Sequence, residues 1–157
     1  MPLTLSGDIA GLGKIVQIVR ATDSTNRNTT STSFVDVAGM SVTITPNKSD
    51  SAVILLVFGR LNQFNATDDD MLTFYQITDS SNNPIVGAEA LRFGTYQLSG
   101  SGTRQFSTAL SIAAYATPAT TSAVTYKLRF RSNTGNVTTE LRGDLNTSQM
   151  FAIEVAA

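Results

Sequence analysis

Ala52-Val53-Ile54-Leu55-Leu56-Val57-Phe58 is the longest apolar run of the chain. It falls far short of the roughly 18 apolar residues needed to cross a bilayer as a helix. Its β-branched residues and its stop at Gly59 favour a strand. A strand with no polar alternation is one buried on both faces. One face would meet the core of the domain. The other would meet a neighbouring sheet or subunit.

Strand signals continue outward in both directions. Met40-Ser41-Val42-Thr43-Ile44-Thr45 alternates cleanly and stops at Pro46-Asn47. Before it come an apolar β-branched segment at 14–20, a polar loop at 21–32, a strand at 33–37 and a turn at Ala38-Gly39. After it, a loop at 62–70 leads to strand 71–78, a turn at 79–84, strand 90–98, a turn at 99–102 and a long alternating strand at 104–115. Strands at 124–131, 137–141 and 149–155 close the chain. The pattern predicts about ten short strands, with helical turns conceivable only at 84–90 and 68–72. Many short strands between Gly- and Pro-rich turns favour two packed sheets, a sandwich or jelly roll, over a sheet covered by helices.

Composition narrows the function. The chain has 157 residues, one domain's worth, and 41% of them are hydrophobic, enough for one core. Its 22 threonines and 16 serines build strand surfaces, while only 15% of residues are charged. The net charge is -1 with scattered basic residues, so nothing draws in a nucleic acid or an anionic membrane. The absence of cysteine excludes disulfides and thiolate metal sites. The absence of histidine removes the usual base for a serine nucleophile. The start, Met1-Pro2-Leu3-Thr4-Leu5-Ser6-Gly7-Asp8, lacks a basic region followed by an apolar core and is not read as a secretory signal. The sequons at Asn28, Asn47, Asn65, Asn136 and Asn146 are then expected to stay unmodified.

No group of residues signals catalysis, a cofactor or a metal. Asp68-Asp69-Asp70 is the one acidic cluster. It lacks the glycine and terminal glutamate of a calcium loop and reads as solvated, with a structural calcium or a basic neighbour as alternatives. Asp36, Asp79, Glu89, Glu140, Asp144 and Glu154 give no reason to pair any two as a glycosidase would need. Gly11-Leu12-Gly13-Lys14 is not a phosphate loop. The tyrosines 75, 96, 115 and 126, with Phe34, Phe64, Phe74 and Phe93, read as core more readily than as a sugar-stacking platform. Lys127, Arg129 and Arg131 share one face of a strand. They form a candidate inter-subunit or capsid-facing row, or else a solvated face with cross-strand partners such as Glu140. Residues 1–13 hold three glycines and little strand signal. They read as an extended arm whose Leu3, Leu5, Ile9 and Leu12 lie on another surface, or as a first strand and turn.

The ordered set now assembled carries a resemblance. It comprises Gly13-Lys14-Ile15-Val16-Gln17-Ile18-Val19, Thr30 to Asp36, Met40 to Asn47, the apolar strand from Ala52, Thr125 to Ser132, and the terminal Ala152-Ile153-Glu154-Val155. This order resembles a small β-rich module of bacteriophage virion proteins, found in capsid decoration (cement) proteins and tail-fibre tips, notably of aquatic, cyanophage-like phages. The resemblance implies an all-β, jelly-roll-like antiparallel β-sandwich over residues 14–157, assembled as a homotrimer, with no catalytic residues. A short arm and a compact body suit a decoration protein on the outer capsid surface, bound at three-fold positions to the major capsid protein and to neighbouring copies. The alternative it implies is a tail appendage that binds host-surface glycan. Neither role calls for a cofactor, nucleic acid or membrane.

Overall fold

The computed structural model describes residues 14–65, 70–95, 103–144 and 146–156. They form β1 (Ile15–Asp23), β2 (Arg27–Thr29), β3 (Val35–Ile44), β4 (Ala52–Asn65), β5 (Met71–Asp79), β6 (Leu91–Thr95), β7 (Arg104–Ala116), β8 (Val124–Ser132), β9 (Val137–Arg142) and β10 (Ser148–Val155). The described residues contain no helix.

The strands pair in nested fashion. β1 lies against β10, β3 against β8, β4 against β7 and β5 against β6, all antiparallel. This is one long hairpin folded over on itself, the connectivity of a jelly roll. It divides into two sheets. The first, sheet A, has β4 at its centre. β7 pairs with β4 along one side. On the other side β10 takes residues 52–58 and β9 takes residues 60–65, end to end. β1 then extends β10 and β2 extends β9. The second, sheet B, runs β3-β8-β5-β6.

The core lies between the sheets. Sheet A contributes Val53, Leu55, Val57, Leu61, Leu110, Ile112, Met150 and Ala152, and sheet B contributes Val42, Ile44, Tyr75, Ile77, Tyr126, Leu128 and Phe130. The period of two delivers these side chains inward: β7 alternates exposed and buried from Ala109 to Ala116, and β10 alternates along its whole length. Tyr75 packs edge-on to Phe93 at 5.9 Å between ring centroids and tilted against Phe130 at 5.9 Å. At one end the core turns polar, where the buried side chains of Gln63, Thr73 and Thr139 bond to one another.

The predicted strand set is correct in order and differs at its edges. β1 continues to Asp23, and β2 forms inside the stretch read as a polar loop at 21–32. There the carboxylate of Asp23 takes the guanidinium of Arg27 at 2.7 Å and the amide of Thr25 at 3.0 Å, so polar groups that suggest a loop are satisfied locally. The turn expected at Ala38-Gly39 is instead an irregularity inside one strand, β3, whose pairing with β8 shifts between Asp36 and Ser41. Gly39 supplies the required left-handed φ of +81°, and a side chain there would strike the Asp23 carboxyl at 2.9 Å. β4 runs on to Asn65, past the loop start expected at 62, because β7 and β9 flank it on both sides. Residues 84–90 carry turns and one isolated bridge rather than a helical turn. The arm residues Leu3, Leu5, Ile9 and Leu12, the aspartates 68 and 69, and Tyr96 lie outside the described residues.

Candidate assembly face

Two outer faces are available for a function, and they differ sharply. On sheet A the side chains pointing away from the core line up in rows set by the strand register. Ile18, Ile153, Ile54 and Tyr115 form one row across β1, β10, β4 and β7. The next row along the strands is Arg20, Phe151, Leu56 and Ala113. The third is Thr22, Gln149, Phe58 and Ser111. Phe58 and Phe151 meet edge-on at 6.3 Å between centroids. Ile18 remains 57% exposed, Tyr115 55% and Phe58 41%. With strands about 4.8 Å apart and about 3.4 Å per residue, the three rows span roughly 14 Å by 14 Å.

This patch has the anatomy of an interface: an apolar centre with a polar margin. Arg20 is the one charged residue in its three rows. Further along β4 the same face becomes polar and self-satisfied. Asn62, fully buried, donates to Glu140 at 3.0 Å and accepts from Gln105 at 2.9 Å. Arg142 reaches Glu140 at 3.8 Å and grips Asp144, whose carboxyl that guanidinium holds down at about 2.

The outer face of sheet B is of another kind. Lys127, Arg129 and Arg131 do share one side of β8, as their spacing requires. Each finds its partners within the protomer. Asp36 bridges Lys127 at 3.0 Å and Arg129 at 2.8 Å. Partial burial pushes the Asp36 carboxyl up, but the hydrogen bonds from these two cations outweigh it and hold it below the ordinary carboxylate value. Arg129 also donates to the Phe34 carbonyl at 2.8 Å. Arg131 lies over the Phe74 ring at 3.8 Å, with the Phe34 ring at 5.3 Å. The partner of the row is thus Asp36, whereas Glu140 serves Asn62 and Arg142 on the other sheet.

Asp79, Glu89 and Glu154 are engaged in the fold. Asp79 closes its own turn by accepting from the amides of Ser81 and Asn83. Glu89 accepts from the Gly87 amide. Glu154 is fully buried and ties the β3–β4 loop by accepting from the Asn47 amide at 2.8 Å and from Gln17 at 2.7 Å. Among the described residues no group of three or more acidic side chains is placed to hold a metal ion.

The sequence points to half of this candidate face. The strand 52–58 reads as apolar on both faces, and its outward Ile54, Leu56 and Phe58 are the centre of the patch. Ile18, Phe151 and Ile153 are missed by it. Their signal is present in the chain: Ile15-Val16-Gln17-Ile18-Val19 and Met150-Phe151-Ala152-Ile153 put apolar residues on both parities of a strand, which an amphipathic outer strand does not do.

No family model matches the chain, and no curated protein matches it. Among solved structures, the VP2 protein of infectious bursal disease virus, as the D431N mutant in derived T=1 particles, is similar at a TM-score of 0.39 and 10% identity over 90% of this chain. The chain spans 36% of the length of that VP2. Eiger TNF from S. frugiperda is similar at a TM-score of 0.41 and 12% identity, covering 88% of this chain and 93% of its own. Likenesses this weak carry no argument about activity, partner or assembly, and the functional reading rests on the faces described above.

Proposed function

We propose that this chain is a structural subunit of a virion surface, most specifically a bacteriophage capsid decoration protein that assembles as a homotrimer. The observation that carries the assembly is the apolar outer face of sheet A. A second copy of this chain is the occupant we assign to it. The patch is almost free of charge, so copies can approach one another without like-charge repulsion. Its centre is apolar and its margin polar, as in a protein–protein contact. Closed symmetry ends the growth that an exposed apolar sheet would otherwise invite.

The viral setting is supported by the resemblance of the ordered sequence set to phage virion modules. In this reading the trimer sits at three-fold positions on the head and bridges neighbouring capsomers. Leu3, Leu5, Ile9 and Leu12 contact the shell or an adjacent copy. The row of Lys127, Arg129 and Arg131, on the opposite sheet, faces outward or toward a neighbouring capsid subunit. The mechanism is mechanical. Three linked weak contacts gain through effective concentration, and bridging raises the work of parting capsomers against internal pressure. The work is done by contact, and Asp36, Asp79, Glu89, Glu140, Asp144 and Glu154 are tied into the fold rather than poised for chemistry.

The test is cryo-electron microscopy of phage heads lacking this protein, before and after its addition. Density of this fold at three-fold positions, at fixed stoichiometry, is the expected result. Failure to bind heads, with density instead at the tail of the intact particle, would overturn decoration and favour the glycan-binding appendage.

A further inference from the structure

One cavity is not used by the assembly reading. It holds about 390 Å³, within the range of small-molecule sites. It opens between the β5–β6 connection and the β7–β8 connection. Tyr115, at the border of the sheet A patch and 55% exposed, lines one side. Val86, itself 72% exposed, and Pro118 add apolar surface. The exposed hydroxyl residues Ser80 and Thr117 line the mouth, and Asp79 supplies a carboxylate.

We propose that this cavity is a binding site for a neutral saccharide. A pyranose ring presents an apolar C–H face, suited to an exposed aromatic ring, and a rim of hydroxyls, suited to a carboxylate and to serine and threonine. The charge of the cavity selects among sugars. Asp79 is the one charged residue in its lining, so anionic sugars are repelled. The Asp79 carboxylate is also prearranged. It already accepts from the Ser81 amide at 2.8 Å, the Asn83 amide at 2.9 Å and the Asn83 side chain at 2.8 Å. A carboxylate offers about four acceptor positions, leaving one for a sugar hydroxyl. Desolvation pushes its pKa up, but these bonds prevail and keep it ionised.

Each bordering connection carries one uncommon backbone conformation. Asn82 has φ +69° and Ala119 has φ +53°, and these are the non-glycine residues with positive φ among the described ones. One stands in each connection that borders the cavity. For alanine this conformation is unfavourable and persists where the surroundings fix it. The β5–β6 connection is fixed in turn by the hydrogen bond from the Tyr115 amide to the Val86 carbonyl, 3.2 Å long. A shaped and held cleft is what a weak, selective ligand site requires.

The test uses the isotopically labelled full chain in its native assembly. Glucose, galactose and N-acetylglucosamine are titrated in turn to about 50 mM, a range that detects millimolar binding, with N-acetylneuraminic acid as the anionic comparison. The expected result is amide shifts for at least one neutral sugar, confined to residues 79–86 and 115–126, and none for the acid. Thr117→Trp, at an exposed lining position outside the three rows of the patch, should weaken that binding about tenfold or more while the mass of the assembly is unchanged. Tyr115→Ala should do the same to binding, with its assembly measured alongside because it borders the patch. Silence from all three neutral sugars, shifts located elsewhere, equal response to the acid, or full binding in Thr117→Trp would each overturn the assignment. None of these outcomes bears on whether sheet A closes a trimer, so the two proposals fail separately.

Discussion

Ile18→Asp tests the assembly face at the point where the protomer depends on it least. Ile18 is 57% exposed on β1, which is the outer strand beside β10. Complete burial of such a side chain stabilises by about 1.5–3 kcal/mol. The exposed share is therefore worth about 1–1.7 kcal/mol per copy when a neighbour covers it. Over three equivalent contacts that is about 3–5 kcal/mol, or roughly a hundredfold to several-thousandfold in the trimer constant. Ile18→Ala loses most of this amount. Ile18→Asp adds the desolvation of an unpaired carboxylate, several kcal/mol per ion, and should leave only monomer at micromolar concentration. The protomer itself should lose no more than about 1 kcal/mol, since the site is on the surface of a strand. Sedimentation equilibrium gives the mass against the 16.7 kDa protomer, and denaturant unfolding gives the stability. An Ile18→Asp protein that assembles as tightly as the wild type would refute the reasoning, because the charge would then be facing water.

Other expectations concern the fold. Leu55, fully buried in the first half of β4, should cost about 2–5 kcal/mol on truncation to alanine, read from the midpoint of urea unfolding. Gly94 has φ +132° and its added Cβ would fall 1.9 Å from the Met71 carbonyl oxygen, so Gly94→Ala should destabilise by roughly 1–3 kcal/mol or more and open the β5–β6 edge to hydrogen exchange. In acid, Asp23, Asp36, Asp79, Asp144 and Glu154 all have folded pKa values below their ordinary ones. Their contribution is complete above the ordinary values of 3.8 and 4.5 and is lost as pH falls through the folded values. Thermal stability should thus hold from neutrality down to about pH 5 and decline below it. For Glu154, desolvation pushes the pKa up, while the hydrogen bonds from the Gln17 side chain and the Asn47 amide outweigh it. Glu154→Gln should shrink the acid decline and cost about 1–3 kcal/mol at neutral pH, seen by melting at pH 7 and pH 3.

The fold was legible because each strand writes its inward face with a period of two. From Arg104 to Tyr115 and from Thr125 to Arg131 the alternation in the sequence is the alternation of burial in the structure. What misled was local chemistry that tertiary pairing overrides. Asn62 and Asn65 look like loop residues, yet β9 and Gln105 satisfy Asn62 inside the sheet. Ala38-Gly39 looks like a turn and is an irregularity within β3, where Asp23 occupies the space a side chain on residue 39 would need. The site was legible only in part for a related reason. A doubly apolar strand such as 52–58 announces that something covers its second face. It does not announce which strands extend that face, since the register that brings Ile18 and Ile153 beside Ile54 joins residues from opposite ends of the chain. The spacing of Lys127, Arg129 and Arg131 gave their common side correctly, but the spacing alone could not reveal Asp36 across β3.

A structure of the assembled protein, solved by cryo-electron microscopy on the particle that carries it, bears most directly on the central claim. The account predicts three copies around a three-fold axis, with Ile18, Phe58, Phe151 and Ile153 of each buried against a neighbouring copy. Sheet A facing solvent in every copy, or assembly through the Lys127 face with the patch uncovered, would contradict it.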